Sequence, residues 1–318
     1  MSSSLNGRDL LKLSDLTPEE VQVVLVAATN MKTRLKVQIE DPTLEGRHIG
    51  IIMQKPSLRT RVSFEVACNV LGARPVILEG TTNAFSRGES VKDTVLTLER
   101  YLDALVIRTF CDEFLAEVAA HASIPVINAL TDRYHPCQGL ADLLTIKEHF
   151  GSCNGLTLAY VGDGSNNMAH TYLEAAALTG MDVRIGTPAS LQPHAEVRAQ
   201  AEAVAHKSGA TILVTGDPIE AVKGAQIVIT DTWASMGQEE QREERLALLQ
   251  PYQVNADLMS NAAGNAIFMH CLPAHRGEEV TDEVIDGDAS VVFDEAENRL
   301  HAQAALLQLI LEDEGNQQ

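Results

Sequence analysis

Basic residues are scarce in this chain. Its 318 residues carry 24 lysines and arginines against 44 aspartates and glutamates, a net charge of −20. So acidic a surface repels phosphate at long range, which excludes a general affinity for nucleic acid or an anionic membrane. Any arginine with a job to do must therefore be locally concentrated. Cysteines are few: Cys68, Cys111, Cys137, Cys153 and Cys271 are odd in number and form neither a CxxC nor a Cys/His metal spacing. No structural zinc or other metal is expected, and such a set of thiols fits a reducing compartment, so a cytoplasmic location is expected. Long apolar runs are missing too. Nowhere do the ~18 apolar residues of a membrane span follow one another, and Met1–Leu11 holds no apolar segment of the kind a secretion signal carries.

What is present is a rhythm of helix and strand. With 45% hydrophobic residues, a chain of this length is too long for one ordinary core and suits two domains of roughly 150 residues. Thr17-Pro18-Glu19-Glu20 sets an N-cap, a first-turn proline and a capping-box glutamate ahead of the apolar run Val21–Ala28, so a helix is expected there. Short β-branched runs follow at His48–Gln54, Asp103–Arg108, Ile124–Ala129, Leu156–Gly162, Asp182–Gly186, Thr211–Thr215, Gln226–Asp231, Ala266–Leu272 and Ser290–Asp294. Helix-length segments separate most of them. The pattern predicts an α/β protein with two doubly wound domains, each a parallel sheet flanked by helices. There is no internal repeat and no low-complexity linker. The boundary is placed near Lys147–Asn154, where a helical pattern runs out into Gly151, Asn154 and Gly155, giving domains 1–148 and 149–298. A C-terminal helix over about 299–318 is expected to pack back on the first domain, with Glu312–Gln318 as a solvated tail.

Five polar motifs carry chemistry. Ser57-Leu58-Arg59-Thr60-Arg61 sits where the first strand passes into a helix patterned by Val62, Val66, Ala67, Val70 and Leu71. Free N–H groups and the positive end of the helix dipole favour an anion at such a junction, and Ser57, Arg59 and Thr60 add donors. Taken alone, Arg59 and Arg61 would serve as well in surface ion pairs. His135-Pro136-Cys137-Gln138 opens a helix with apolar residues at Leu140, Leu143 and Leu144; a lone loop histidine is more often structural, and Cys137 reads as a small packed side chain. Asp231-Thr232-Trp233-Ala234-Ser235-Met236-Gly237 puts a carboxylate at the end of a strand, the usual place for ligands in open α/β sheets. The bland role of Asp231 is a helix cap. The Glu-rich run after it, Glu239–Arg245, reads as a solvated face. His270-Cys271-Leu272-Pro273 ends another strand, and Cys271 lacks the company of a hydrolase nucleophile. Arg299, in Asp294-Glu295-Ala296-Glu297-Asn298-Arg299, is the last cationic candidate, its bland role a helix salt bridge. Gly162-Asp163-Gly164-Ser165-Asn166-Asn167 invites a dinucleotide reading, but the G-x-G-x-x-G spacing would need glycine at Asn167.

In order and identity, the five motifs resemble those of the transcarbamoylase family over nearly the whole chain, and Ser235-Met236-Gly237 resembles its ornithine-using branch. The resemblance implies carbamoyl transfer from carbamoyl phosphate to the δ-amino group of L-ornithine, giving L-citrulline and phosphate. It assigns carbamoyl phosphate to Ser57, the Leu58 backbone, Arg59, Thr60, Arg108, His135, Gln138, Cys271, Leu272 and Arg299. Ornithine is assigned to Asp231, Ser235, Met236 and an asparagine that is Asn167 or Asn166, since Ser165 reads as an insertion. Arg108, His135, Cys271 and Asp231 are the implied catalytic groups, and no cofactor is implied. A homotrimer or a multiple of trimers is implied as well, with its interface near Arg87–Thr94; the family's intersubunit glutamine aligns with Ala84, beside Asn83. Alternatives of the same chemistry use putrescine or an acylated ornithine, and a further one is an anion-binding paralogue without activity.

Overall fold

The computed structural model describes residues 5–39, 42–79, 88–233 and 242–312. The chain divides into two compact units, one of Met1–Leu144 with Glu297–Gln318 and one of Thr145–Ala296. The first begins as its sequence dictates. The Thr17 hydroxyl accepts the Glu20 N–H at 3.2 Å and the Glu20 carboxylate accepts the Thr17 N–H at 2.8 Å, closing the capping box of α1 (Pro18–Lys36). A four-stranded parallel sheet follows, in the order β2-β1-β3-β4, from β1 (His48–Met53), β2 (Arg74–Glu79), β3 (Ala104–Arg108) and β4 (Val126–Leu130). Every residue of β3 and β4 is buried. Burial on both faces is why their sequences run as unbroken apolar stretches. Helices α2 (Leu58–Val70), α3 (Val91–Leu98), α4 (Asp112–His121) and α5 (Pro136–Phe150) alternate with these strands. Ile52, Val95, Leu105, Ile107, Leu115 and Val126 share one apolar cluster.

The second unit repeats the plan with β5 (Thr157–Val161), β6 (Asp182–Gly186), β7 (Ile212–Thr215), β8 (Ile227–Ile229) and β9 (Ile267–Met269), parallel in the order β7-β6-β5-β8-β9. Its helices are α6 (Asn167–Thr179), α7 (Ala195–Ser208), α8 (Pro218–Val222), α9 (Arg242–Leu249), α10 (Ala256–Met259) and α11 (Asp282–Ile285). Phe268, Val228, Ala159 and Trp233 lie in its core. The last helix, α12 (Val292–Leu311), starts in this unit and ends in the first. There the Gly7 N–H donates to the Ile310 carbonyl at 2.9 Å.

Two elements differ from the sequence reading. Ser290–Asp294 is not a strand: Ser290 makes a single parallel bridge to Phe268, and α12 then begins at Val292 with Asp294 and Glu295 in its first turn. Acidic side chains there favour a helix start over a continued β run. Conversely, β2 carries Pro75 and was not expected. It ends the sheet order, where a missing N–H costs no ladder bond on the outer side. The tail beyond Glu312 lies outside the described residues.

The glycines of Gly162-Asp163-Gly164 have structural reasons. Gly162 leaves β5 at φ 139°, and a Cβ on Gly164 would come within 2.7 Å of the Leu191 carbonyl oxygen. That accounts for the motif without a dinucleotide. Because Phe268 is fully buried in the second core, Phe268→Ala is expected to destabilise the protein by about 3–5 kcal/mol. Urea unfolding measures this, and a loss below about 1 kcal/mol would show a core that collapses around the cavity.

Candidate active site

Each sheet has one point where its strand order reverses, and the polar motifs gather there. In the first unit the chain runs from β1 outward to β2, then returns to the other side of β1 as β3; in the second, β6 and β7 lie on one side of β5 and β8 on the other. Between diverging connections a crevice opens outside the strands' carboxyl ends. Ser57 follows β1 and Arg108 ends β3, so they flank the first switch point; Asp163 follows β5 and Asp231 follows β8, so they flank the second.

Ser57 caps α2, its hydroxyl accepting the Thr60 N–H at 3.3 Å. The buried Thr60 hydroxyl in turn accepts from Arg299 at 2.8 Å and, more weakly, from Arg108 at 3.5 Å. Arg108 and Arg299 are 8% and 3% exposed. His135 is also buried. Its carbonyl accepts the N–H groups of Gln138 and Gly139 at 3.0 and 3.1 Å, which makes it the residue capping α5. Burial first, then the charges of Arg299, Arg108 and Arg59, hold its imidazole well below its ordinary pKa of 6.5. It is therefore neutral at pH 7, a hydrogen-bond donor among cations. The buried Nε of Arg59 has no hydrogen-bond partner among the described residues. Gln138 directs its amide nitrogen to Asp142 at 2.8 Å. Three guanidiniums, a helix N-terminus and a neutral imidazole suit a dianion bearing a polarisable carbonyl.

Other residues of these motifs stand apart. Arg61 pairs with Glu65 at 2.8 Å on the exposed face of α2, and Leu58 is 76% exposed. Cys137 is packed, its thiol donating to the Asn128 carbonyl at 3.3 Å, and burial pushes its pKa up to about 12. Asn83, Ala84, Ser235 and Met236 lie outside the described residues.

The second unit builds a carboxylate site. Asp231 is 8% exposed and accepts from Asn166 Nδ2 at 2.8 Å, from its neighbour's N–H, on Thr232, at 2.8 Å, and from the Cys271 thiol at 3.3 Å. Of the two asparagines left open by the sequence, Asn166 is the one bonded to Asp231, and it also caps α6. Asn167 is the first residue of that helix. Leu272 adopts φ 58°, unusual for leucine; its N–H donates to His270 Nδ1 at 2.9 Å. The other ring nitrogen meets Glu279 at 3.3 Å. Asp231, His270 and Cys271 offer donor atoms within 4.8 Å of one another, yet both nitrogens of this imidazole are already engaged by the protein.

Sequence reasoning missed two groups. Arg245, inside the Glu-rich run read as solvated, is 9% exposed and ion-paired to Asp163. Tyr160, wholly buried, donates to the Asp163 carbonyl at 3.2 Å, and burial followed by the charges of Asp231 and Asp163 raises its pKa well above 10.0. The clue for Asp163 was its place at the end of a strand.

Comparison with known proteins matches both halves of the chain. Residues 8–148 fit the carbamoyl-P binding domain, and residues 154–310 the Asp/Orn binding domain, of aspartate/ornithine carbamoyltransferases. An ornithine carbamoyltransferase of Carboxydothermus hydrogenoformans is 51% identical over 98% of this chain and 100% of its own length. One from Hyperthermus butylicus is 53% identical over 98% and 99%. The solved ornithine carbamoyltransferase of Pyrococcus furiosus superimposes with a TM-score of 0.94 at 48% identity, covering 97% of this chain and 98% of that one. The two parallel sheets flanked by helices are thus the fold of these relatives.

The depressed pKa of His135 has a consequence for stability. In the unfolded chain the imidazole titrates near 6.5; in the folded, ligand-free protein it stays neutral to lower pH, so the unfolded state binds more protons between the two values. Stability is therefore lost as pH falls below 6.5, by about 1 kcal/mol over the first unit of pH. Comparing urea stabilities at pH 7.5 and 5.5, wild type is expected to lose that much more than His135→Gln. Equal losses would mean that the folded imidazole titrates normally.

Proposed function

The chain belongs to the aspartate/ornithine carbamoyltransferase family, and on that premise we propose that it transfers the carbamoyl group of carbamoyl phosphate to the δ-amino group of L-ornithine, giving L-citrulline and phosphate. The observation that carries the reading is the gathering of Arg59, Arg108 and Arg299 around a neutral His135. The three cations and the N-terminus of α2 bind the phosphate. His135, with Arg108, directs a donor at the carbamoyl oxygen, and the acceptor end of Gln138 takes the carbamoyl NH₂.

Ornithine's α-ammonium pairs with Asp231, helped by Ser235, while the asparagine beside α6 and the Met236 backbone hold its α-carboxylate. The neutral δ-amine then attacks the carbonyl carbon. A C–N bond forms and negative charge develops on the oxygen, where fixed donors lower the barrier. The C–O bond to phosphate breaks as the intermediate collapses, and the amine proton leaves with the phosphate. Orientation and charge stabilisation suffice, and none of these steps calls on a cofactor.

A homotrimer in the cytoplasm completes the reading. Leu58, Val62 and Val66, spaced four residues apart on α2 and 76%, 47% and 39% exposed, form an apolar stripe suited to burial against another copy. Five free thiols fit a reducing compartment, and no described helix is long and apolar enough to cross a membrane.

Phosphate release from carbamoyl phosphate, measured with ornithine and with putrescine side by side, tests the acceptor; ornithine gives citrulline and putrescine would give N-carbamoylputrescine. A site built to bond an α-carboxylate rejects an analogue without one by about 10⁴-fold, and comparable kcat/KM values would exclude this assignment. For the donor, Arg59→Ala removes a charge-assisted contact of about 1.5–3 kcal/mol. The KM for carbamoyl phosphate is expected to rise accordingly with the fold intact, and unchanged kinetics would remove Arg59 from the site.

A further inference from the structure

We propose that Arg245 is a positioning residue for the amino-acid site, setting the geometry of Asp231 from both sides at once; this rests on the reading that Asp231 binds the acceptor's α-ammonium. One guanidinium serves two partners. Its Nε donates to the Trp233 carbonyl at 2.6 Å, and an Nη donates to Asp163 Oδ2. Trp233 lies two residues after Asp231, so the first bond pins the strand exit that carries the carboxylate. The second acts through a relay. Asp163 Oδ1 accepts both the N–H and the hydroxyl of Ser165, at 2.9 and 2.6 Å, which shapes the turn leading into α6. Next in the chain, Asn166 accepts the Met168 N–H at 2.5 Å and donates to Asp231 Oδ2 at 2.8 Å. The route from Arg245 to Asp231 is thus closed through the turn after β5 on one side and through Trp233 on the other.

Fold stability alone is a poor reason for such a pair. The side chains of Arg245 and Asp163 are 10% and 5% exposed, and removing two charges from water costs about as much as their attraction returns. A buried pair of apolar side chains would hold α9 as well. What apolar groups cannot do is fix the directions of a carbonyl and a carboxylate together. The packing agrees: the Trp233 ring lies against Gly162, at the start of the same turn, 3.4 Å from where a Cβ would stand. Tyr160 fills the space beneath, its hydroxyl on the Asp163 carbonyl.

The test separates positioning from mere stability. Arg245→Ala should raise the KM for ornithine by about 10- to 100-fold, the scale of a misplacement near 1 Å, while the KM for carbamoyl phosphate changes by less than about twofold. It also orphans a buried carboxylate, so loss of stability is expected. The double variant Asp163→Asn/Arg245→Met removes both charges and should recover most of the lost Tm, yet its KM for ornithine should stay raised. Arg245→Lys, which keeps the charge but cannot serve both partners, should fall between wild type and Arg245→Ala. A double variant with wild-type KM for ornithine, or an Arg245→Ala enzyme with both KM values unchanged, would overturn the proposal. Those outcomes leave the acceptor assignment standing, because that assignment is tested by the wild type alone: failure of wild type to form citrulline from ornithine sinks it.

Discussion

Three guanidinium groups act on one imidazole in the first unit, and two of them share one hydroxyl; like charges brought together repel strongly once water is excluded. The fold holds them by bringing each from a different element: Arg59 from α2, Arg108 from the end of β3, Arg299 from α12. No single helix or strand could present all three on one side. Thr60 accepts from two of them, and His135 yields by remaining neutral. In the proposed function a bound dianion completes the arrangement and turns repulsion into attraction. This explains how a chain with a net charge of −20 takes up an anion at all. Acidic residues outnumber basic ones over the whole chain, while three arginines are gathered at the end of one sheet.

The second unit uses the same architecture with the opposite sign. Its switch point presents a carboxylate whose oxygens are oriented by an asparagine amide, a backbone N–H and a thiol. On the proposed function, anion and ammonium recognition arise from one plan, the carboxyl ends of parallel strands where the order reverses, with the polarity set by which side chains stand there. Helix N-termini supply donors in both units, at Ser57 in one and at Asn166 in the other.

Much of this was readable in the residues, and the exceptions have physical causes. Thr17 with Glu20 announced α1 because capping is a local interaction, and the apolar strands announced themselves because both their faces are buried. Pro75 hid β2, since a proline argues against a strand until the strand is known to lie at the end of the order. The β-branched start of Ser290–Asp294 promised a strand that acidic residues in a helical first turn overrode. Among the candidate residues, Arg59, Arg108, His135 and Arg299 lie together in the first unit, and which asparagine neighbours Asp231 depends on which residue caps α6. Arg245 was least visible. Local composition called its segment solvated, and only a partner 82 residues away in sequence takes it into the interior.

The central claim is that His135 remains a neutral donor because it is buried and three arginines then add their charge around it, and its ionisation can be observed directly. With imidazole nitrogens labelled, NMR spectra of the ligand-free protein recorded from pH 8 to pH 5.5 should show the His135 resonances fixed at neutral values throughout, while exposed histidines titrate around pH 6.5. In Arg59→Ala the His135 pKa should move upward, toward the ordinary value. An imidazole that titrates near 6.5 in the wild type, or one indifferent to the loss of Arg59, would contradict the account.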